Sequence, residues 1–467
     1  MSGVLPSILL AAFFTFVAIE PRAIHAQPGR PNIILILIDD MGWRDLGCMG
    51  SDLYRTPHID ALASGGMRFT QAYAAAPICS PTRASILTGQ HPARLGMTDW
   101  LPGRRDLPSQ KLLRPQLVNY LPEDSITLAE ALKARGYRTA HIGKWHLGGA
   151  AHSPENNGFD LNIGGTQAGS PPGGYFKFNT PTLKLKPGEY LTDRLTDEAV
   201  RFVDQNREQP FFIYLAHYAV HIPLQPKEDV AARYREVPKS DAIHTNAVYA
   251  AMVESVDDSA RRIMRKLEEL SLADNTVVVF TSDNGGLSVR EGANTPATSN
   301  HPLRTGKGYL YEGGIRVPLL IRWPAAVKAG STCDVPVASA DLYSTLIAAA
   351  GAEGNHVVDG QSLLPLMKQQ HGFQPRALYW HYPHYSNQGG RPSGAIRKGD
   401  WKLIEFFEDG RRELYNLADD PSESRDQGDK ARQKADDLVA ELVRWRQTTG
   451  AKLPTPNPDY APQSARQ

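Results

Sequence analysis

The sequence predicts an α/β fold: a large, mostly parallel or mixed sheet sandwiched between helices, followed by a smaller C-terminal unit of antiparallel sheet plus a helix. Three observations carry this reading. The run Asn32-Ile33-Ile34-Leu35-Ile36-Leu37-Ile38 is continuously aliphatic and stops at Asp39-Asp40, the pattern of a strand buried on both faces. Strand-like apolar runs then alternate with capped helical segments, the order that gives parallel strands joined by helical crossovers. After Gln361-Ser362-Leu363-Leu364-Pro365 the texture changes to short strand-like runs separated by Gly, Asp and Pro.

Ahead of the first strand, Leu5 to Ile19 is an almost unbroken apolar run followed by Pro21 and by Ile24-His25-Ala26-Gln27. It reads as a secretory signal over residues 1–26, cleaved after Ala26, and is short for a membrane span. No Lys or Arg precedes the run and Ile24 only half meets the small-residue rule, so a lipid-embedded N-terminal anchor is the alternative. No later segment has the length and apolarity to cross a bilayer, and the mature chain is expected to be exported, periplasmic or secreted.

Beyond the first strand, Thr56 as N-cap, Pro57 at the first helical position and Gly65 at the end bracket a short helix holding Ile59 and Leu62. Thr127-x-x-Glu130 is a capping box before a helix over Leu128 to Arg135, Gly136 stops it, and Tyr137 to Ile142 reads as a strand. A helix over Asp197 to Gln205, a strand at Phe211 to Leu215, a long helix from Ala247 to Leu270 and a strand at Val277 to Ser282 follow. In the long helix Val248, Met252, Val256, Ile263, Leu267 and Leu270 keep helical spacing. These elements place the large domain at residues 27–370. Ala377 to Trp380, Ser393 to Arg397, Trp401 to Ile404 and Glu413 to Asn416 are the C-terminal strands, with turns at Gly399-Asp400 and Asp409-Gly410. With a helix near Lys434 to Arg446 they make a second domain at residues 371–452, and the Pro-rich polar stretch 453–467 is expected to be a loose tail.

Composition narrows the function. A chain of 467 residues, 41% hydrophobic and with a formal net charge of +1, is too long for one minimal domain and has no electrostatic footprint for nucleic acid. Its three cysteines, Cys48, Cys79 and Cys333, are too few for a disulfide framework. With Cys79 set apart, the other two either pair or stay buried and free.

The chemistry-bearing residues sit where strands end. Asp39 and Asp40 follow the first strand and Asp283-Asn284-Gly285-Gly286 follows that at Val277 to Ser282. In parallel α/β sheets ligands bind at the carboxyl ends of strands, so these segments can face one another. Four oxygen donors without thiolate or imidazole select a hard cation, Ca²⁺ or Mg²⁺. The competing reading makes both segments plain turns, since Asp, Asn and Gly are turn residues. Cys79-Ser80-Pro81-Thr82-Arg83 either opens a capped helix with an inert cysteine or presents a reactive group. If the segment is helical, Arg83 shares a face with Cys79, and free N–H groups there attract an anion. Lys144 and His146 of Gly143-Lys144-Trp145-His146 project to one side of an extended chain, able to neutralise an anion and carry a proton or to be a solvated strand end. His221, in Val220-His221-Ile222-Pro223, lies beyond another strand end, and Lys307 stands between glycines in Arg304-Thr305-Gly306-Lys307-Gly308, where the loop lets an ammonium approach an anion.

In order along the chain, these segments resemble the type I sulfatases of the alkaline phosphatase superfamily. The resemblance runs through Ile38-Asp39-Asp40-Met41-Gly42, the C-x-P-x-R stretch from Cys79 to Gly89, Gly143 to Gly148, His221-Ile222-Pro223, Ser282 to Gly286, and Gly306-Lys307-Gly308 with Tyr311 to Pro318. It implies an alkaline phosphatase-like fold and a sulfuric ester hydrolase. It implies that a formylglycine-generating enzyme oxidises Cys79 to formylglycine (3-oxoalanine), whose hydrate attacks sulfur, and that Asp39, Asp40, Asp283 and Asn284 bind one Ca²⁺. Arg83 would hold the hydrate, Lys144 and Lys307 would grip sulfate oxygens, His146 would assist the geminal diol and His221 would serve the leaving oxygen. The expected substrate is a sulfated carbohydrate, with aryl sulfates as artificial substrates. His91, Arg94, Trp100, Tyr175, His381, His384 and Arg391 are candidates for reading the sugar, the loop Gly169 to Tyr175 for the pocket rim, and His217 either lines the pocket or packs. The rival readings are a phosphonate or phosphate ester hydrolase of the same superfamily and an unmodified, silent carbohydrate-binding homologue.

Overall fold

Asn32–Ile38 forms β1, and every one of its residues is buried. The computed structural model describes Gly3, residues 30–237 and residues 243–461. The expected signal segment, Gly3 apart, and residues 462–467 of the expected tail lie outside the described residues. No described helix is long and apolar enough to cross a membrane.

With β1, the strands β2 (Met67–Tyr73), β3 (Arg138–Gly143), β4 (Leu161–Ile163), β5 (Phe211–Ala216), β6 (Thr276–Ser282), β7 (Arg316–Arg322) and β8 (Ser331–Cys333) lie in the order β8-β2-β7-β6-β1-β5-β3-β4. A short β9 (Val337–Ala338) also pairs with β2. From β6 to β4 all pairings are parallel, with β1 central: Ile34 sits opposite Ile213 on one side and Val278 on the other. β7 is antiparallel to both β6 and β2, so the sheet is mixed. The alternation of side chains along a strand divides the core into two. Ile34, Ile36 and Ile38 pack with residues of α4 (Leu191–Gln205), α5 (Glu228–Arg235) and α6 (Ala247–Glu269), among others. Ile33, Leu35 and Leu37 pack with α2 (Cys79–Thr88), α3 (Leu128–Ala134) and α7 (Ala340–Ala350). Burying each such aliphatic side chain contributes about 1.5–3 kcal/mol, which is why a run with no polar face is stable only here.

Three local details differ from expectation. α1 (Pro57–Ser64) is not capped by Thr56, whose hydroxyl donates to Asp60 instead; Asp257 of α6 accepts from the His58 and Ile59 N–H groups at 3.0 and 2.8 Å. α4 begins at Leu191, a turn and a half before Asp197, because Leu191 and Leu195 are already core residues. The segment after Lys452 is docked: Thr455 and Pro456 pair with Leu113 and Leu112, and the Asn457 amide reaches Gln110 O at 2.8 Å. The Thr127–Glu130 capping box forms as expected at the start of α3.

The C-terminal strands Leu378–Tyr382, Ser393–Lys398, Trp401–Phe406 and Arg412–Asn416 form an antiparallel sheet in that order. One face, with Ile396, Leu403 and Leu414, is covered by α8 (Arg432–Thr449) through Leu438 and Leu442. The other face places Trp380 in one apolar cluster with Ile78 and Cys79, edge-on to the Tyr73 ring, and the Trp380 indole donates to Ala74 O at 2.9 Å. Lys402 of this sheet lies buried between Glu312 and Glu423 at 2.9 and 2.8 Å. The smaller sheet is thereby fastened behind the segment that carries Cys79.

Candidate active site

The parallel strands deliver side chains to one end of the sheet. β1 runs into Asp39 and Asp40, β6 into Asp283 and Asn284, β3 into Lys144, and β5 through a short turn into His221. The loop between β6 and β7 brings Lys307 to the same place. Asp40 and His146 hold φ of 63° and 56°, left-handed conformations that cost a non-glycine residue on the order of 1–2 kcal/mol.

Cys79 is the first residue of α2, so the unpaired N–H groups of the first turn lie beside its side chain. Its Sγ is 3.3 Å from His146 Nδ1. The other ring nitrogen, Nε2, donates to Leu101 O at 2.8 Å, which fixes the tautomer and leaves Nδ1 as an acceptor facing residue 79. Burial, reinforced by the Lys144 charge, holds this imidazole well below its usual pKa, so it is neutral. Ser80 ties the arrangement together: its hydroxyl donates to His146 O at 2.9 Å and accepts from Leu101 N at 3.2 Å. Burial pushes the Cys79 thiol up, with Lys144 and Lys307 opposing, and an unmodified residue 79 is a protonated, weakly nucleophilic thiol.

Three carboxylates and three cations interlock around it. Arg83 donates from Nε to Asp283 Oδ2 at 2.8 Å and from Nη1 to Lys144 O at 3.0 Å. Lys144 Nζ reaches Asp39 Oδ2 at 2.7 Å, and Lys307 Nζ reaches Asp40 Oδ2 at 2.8 Å and His221 Nε2 at 3.1 Å. His221 donates from Nδ1 to Ile222 O at 2.7 Å, so its Nε2 is the lone-pair nitrogen that accepts from Lys307. Burial and the Lys307 charge keep this ring neutral as well. Asn284 donates from Nδ2 to Asp40 Oδ1 at 2.8 Å, which turns its Oδ1 the other way. Asn284 Oδ1 and Asp39 Oδ1 are both buried without a hydrogen-bond partner. Asp39, Asp40 and His221 each offer an atom within 4.8 Å of the others. One carboxylate and one amide oxygen, both orphaned, beside the Asp40 carboxylate form a cradle a hard cation fits, since leaving them unpaired costs about 1–3 kcal/mol each.

A sequence model of the sulfatase family matches residues 31–352. The chain belongs to the sulfatase family. A second family description, N-sulphoglucosamine sulphohydrolase C-terminal, matches residues 305–448. The chain is 32% identical over 473 residues to a sulfatase of Formosa agariphila, covering 85% of this chain and 84% of that protein. It is 32% identical over 441 residues to human steryl-sulfatase, covering 77% and 73%. Among solved structures, Ps i-CgsB in complex with k-i-k-neocarrahexaose superposes with a TM-score of 0.75 at 32% identity, covering 93% of this chain and 94% of that one. The chain is therefore a sulfuric ester hydrolase.

Above residue 79 this sulfatase has a cavity of about 210 Å³. Cys79, His146, His221 and Lys307 line it together with Ile78, Trp100, Leu101, Gly169, Ser170, Glu291, Asn387 and Gln388. Two larger clefts, about 500 and 480 Å³, lie elsewhere on the molecule and hold none of the converging groups. Of the side chains expected to read a sugar, Trp100 lines this cavity and the others do not. His91 accepts from Ala93 N and donates to Tyr379 O, capping a short helix, and Arg94 is locked to Asp359. Tyr175 is fully buried, its hydroxyl 2.7 and 2.9 Å from Tyr218 O and His221 O, so it braces the turn carrying His221. The expected rim loop contributes only Gly169 and Ser170. His217 packs against Ser259 at 3.0 Å, His381 donates to Lys452 O, His384 bonds Thr98, and Arg391 pairs with Glu408 on the surface. Sequence reasoning missed Ser80, Glu291, Asn387 and Gln388. Ser80 stood inside the motif, whereas the other three carry no local signal.

Proposed function

We propose that this sulfatase removes sulfate from a sulfated carbohydrate, with Cys79 matured to formylglycine and one Ca²⁺ held by Asp39, Asp40, Asp283 and Asn284. The observation that carries the proposal is the meeting of residue 79, the basic Nδ1 of His146, His221 and Lys307 on the floor of one cavity. The buried, unpartnered Asp39 Oδ1 and Asn284 Oδ1 support the cation, as does an all-oxygen donor set. When present, the two groups supply an attacking oxygen at residue 79 and positive charge at the sulfate.

The protein's own residues do the rest. Lys144 and Lys307 hold sulfate oxygens and absorb charge that builds as sulfur is attacked. Arg83 fixes Asp283 and the Lys144 backbone, setting the floor. His146 Nδ1, held as an acceptor by Leu101 O, takes a proton from the residue 79 side chain. His221 starts neutral with Nδ1 committed to Ile222 O, so its Nε2 faces the leaving oxygen as the nitrogen that delivers a proton taken up from solvent through the cavity. Lys307, 3.1 Å from that nitrogen, keeps its own proton because, against burial, Asp40 strengthens its hold on it, and it stays a cation for the sulfate oxygens.

For the substrate, Trp100 offers a flat apolar wall, and Glu291, Asn387 and Gln388 offer hydrogen bonds, a combination that suits a hydroxylated ring better than a sterol. The reading of residues 1–26 supports export, and the Cys79-x-Pro81-x-Arg83 motif supports maturation by a formylglycine-generating enzyme. The test is twofold. Intact mass of protein from a host that carries the maturation enzyme should show residue 79 lighter than cysteine; an unmodified mass with full turnover overturns the residue 79 assignment. Matched sulfate and phosphate esters of one sugar should show sulfate preferred, and EGTA should abolish turnover and lower Tm, with Ca²⁺ restoring both.

A further inference from the structure

The mouth of the cavity has an unusual charge balance for an enzyme of anionic substrates. Among the described residues lining it, Lys307 is the one lysine or arginine, and it is already engaged at the floor with Asp40 and His221. The rim carries the opposite sign. Glu291 accepts from the Gln388 side-chain amide at 2.5 Å. Gln388 is itself buried and fixed: its Oε1 accepts from Ser386 Oγ at 2.6 Å, its N–H donates to the same hydroxyl at 3.0 Å, and its carbonyl accepts from Tyr309 at 2.7 Å. The Glu291 backbone N–H donates to Thr295 Oγ1 at 2.8 Å. The carboxylate is therefore held at the rim. Neither of the arginines in the neighbourhood balances it in the cavity: Arg290, next to Glu291 in the chain, does not line it, and Arg104 donates to Ser386 O but lines a separate cavity beside Asp99 and His384.

We propose that Glu291, positioned by Gln388, is a specificity-determining residue that restricts this site to a sulfate ester on an otherwise uncharged sugar ring. The inference rests on the carbohydrate reading above and narrows it. A cavity of about 210 Å³ is roughly 7 Å across, so a second sulfate or a carboxylate held inside it beside the scissile ester lies within roughly 7 Å of the wall that carries Glu291. Without a cation to receive it, such a group meets like-charge repulsion and a site without a donor for its charge. The neutral hydroxyls of a monosulfated ring meet an acceptor instead. Repulsion at that distance, in a half-solvated mouth, corresponds to a preference of about tenfold in kcat/KM.

The experiment uses matured, Ca²⁺-loaded full-length protein. For each methyl hexopyranoside monosulfate that is cleaved, kcat/KM is compared with that of the disulfate bearing a second sulfate on the adjacent carbon. The same comparison is made on an aryl sulfate with and without a second sulfate in the ortho position, so the charge test runs whichever leaving group is accepted. The wild type should prefer the monosulfate in each pair, and Glu291→Gln should reduce that preference about tenfold. Raising the salt from about 10 mM to about 500 mM on the matured wild type should reduce it too, because screening weakens the repulsion. An unchanged preference in Glu291→Gln and across the salt series overturns the proposal. Should no saccharide be cleaved while aryl sulfates turn over, the carbohydrate reading fails and the aryl pair still decides the role of Glu291.

Discussion

Ser80→Ala isolates the contribution of one hydroxyl to the geometry of His146. Ser80 is 0% exposed, so water cannot replace its oxygen. The substitution removes the 2.9 Å bond to His146 O and leaves the Leu101 N–H, 3.2 Å from Ser80 Oγ, without its acceptor. A lost bond of about 1 kcal/mol plus an orphaned buried donor at about 1–3 kcal/mol makes a total of about 2–4 kcal/mol. The two groups freed are the backbone of His146 and the backbone of Leu101, whose carbonyl sets the imidazole tautomer. Part of the loss therefore falls on the orientation of Nδ1 towards residue 79 and part on stability. With the Leu101 O contact still holding the ring, kcat should fall about tenfold to a hundredfold, about 1.4–2.8 kcal/mol of barrier. KM for 4-nitrophenyl sulfate should change much less, since Ser80 touches no substrate-facing surface. The assay is steady-state hydrolysis per matured site, with the matured fraction taken from intact mass, alongside a thermal melt. A kcat within twofold of wild type at equal maturation would refute the argument that Ser80 positions His146.

Three further substitutions probe other links. Cys79→Ser should abolish turnover and leave a serine that becomes sulfated once and stays so, seen as a single sulfate adduct by mass spectrometry; sustained turnover would contradict the role given to residue 79. Arg83→Met removes the partner of buried Asp283 and should destabilise the fold by about 3–5 kcal/mol in denaturant melts, as breaking a buried ion pair does; a stability within 1 kcal/mol of wild type would show that the cluster compensates internally. Asp99, buried beneath Trp100 and pushed up to about 7 by desolvation against its bonds from Trp100 N and Tyr382, is raised above its unfolded value. Such a group's stabilising contribution is complete below about pH 4 and is lost as pH rises through about 7. Asp99→Asn should therefore raise Tm relative to wild type at pH 8 and lose that advantage towards pH 4; the reverse trend would mean the carboxylate is well compensated.

The β1 run was legible because a seven-residue strand with no polar face has one stable location, between two helical layers. The antiparallel members were not. Met67–Tyr73 carries Arg68, Thr70 and Gln71 and pairs with the short Ser331–Cys333 near the sheet's edge, where burial does not enforce a pattern. Arg316–Arg322 contains Pro318, and its register with β2 shifts between Val317 and Leu319, a bulge that accommodates the missing donor. Thr56 carried every mark of an N-cap, and tertiary structure overrode it with Asp257 from a helix some two hundred positions away.

The same division governs the site. Asp39, Asp40, Asp283, Asn284 and Lys144 follow directly on strands that the alternation with helices marks as parallel, so a common end of the sheet made their convergence a consequence of topology. Cys79, Arg83 and His146 were tied to it by short motifs whose local conformation the chain specifies. The rim has no such warrant. Trp100, Glu291 and Gln388 come from three loops, and what joins them is the docking of the C-terminal sheet through Trp380 and the buried Lys402, Glu312 and Glu423 cluster. Catalysis is thus written in strand ends and selectivity in the way the second sheet closes over them. A change in Ser386 or Tyr309, which fix Gln388, would then alter which substrates enter while leaving the bonds among Asp39, Lys144 and Arg83 as they are.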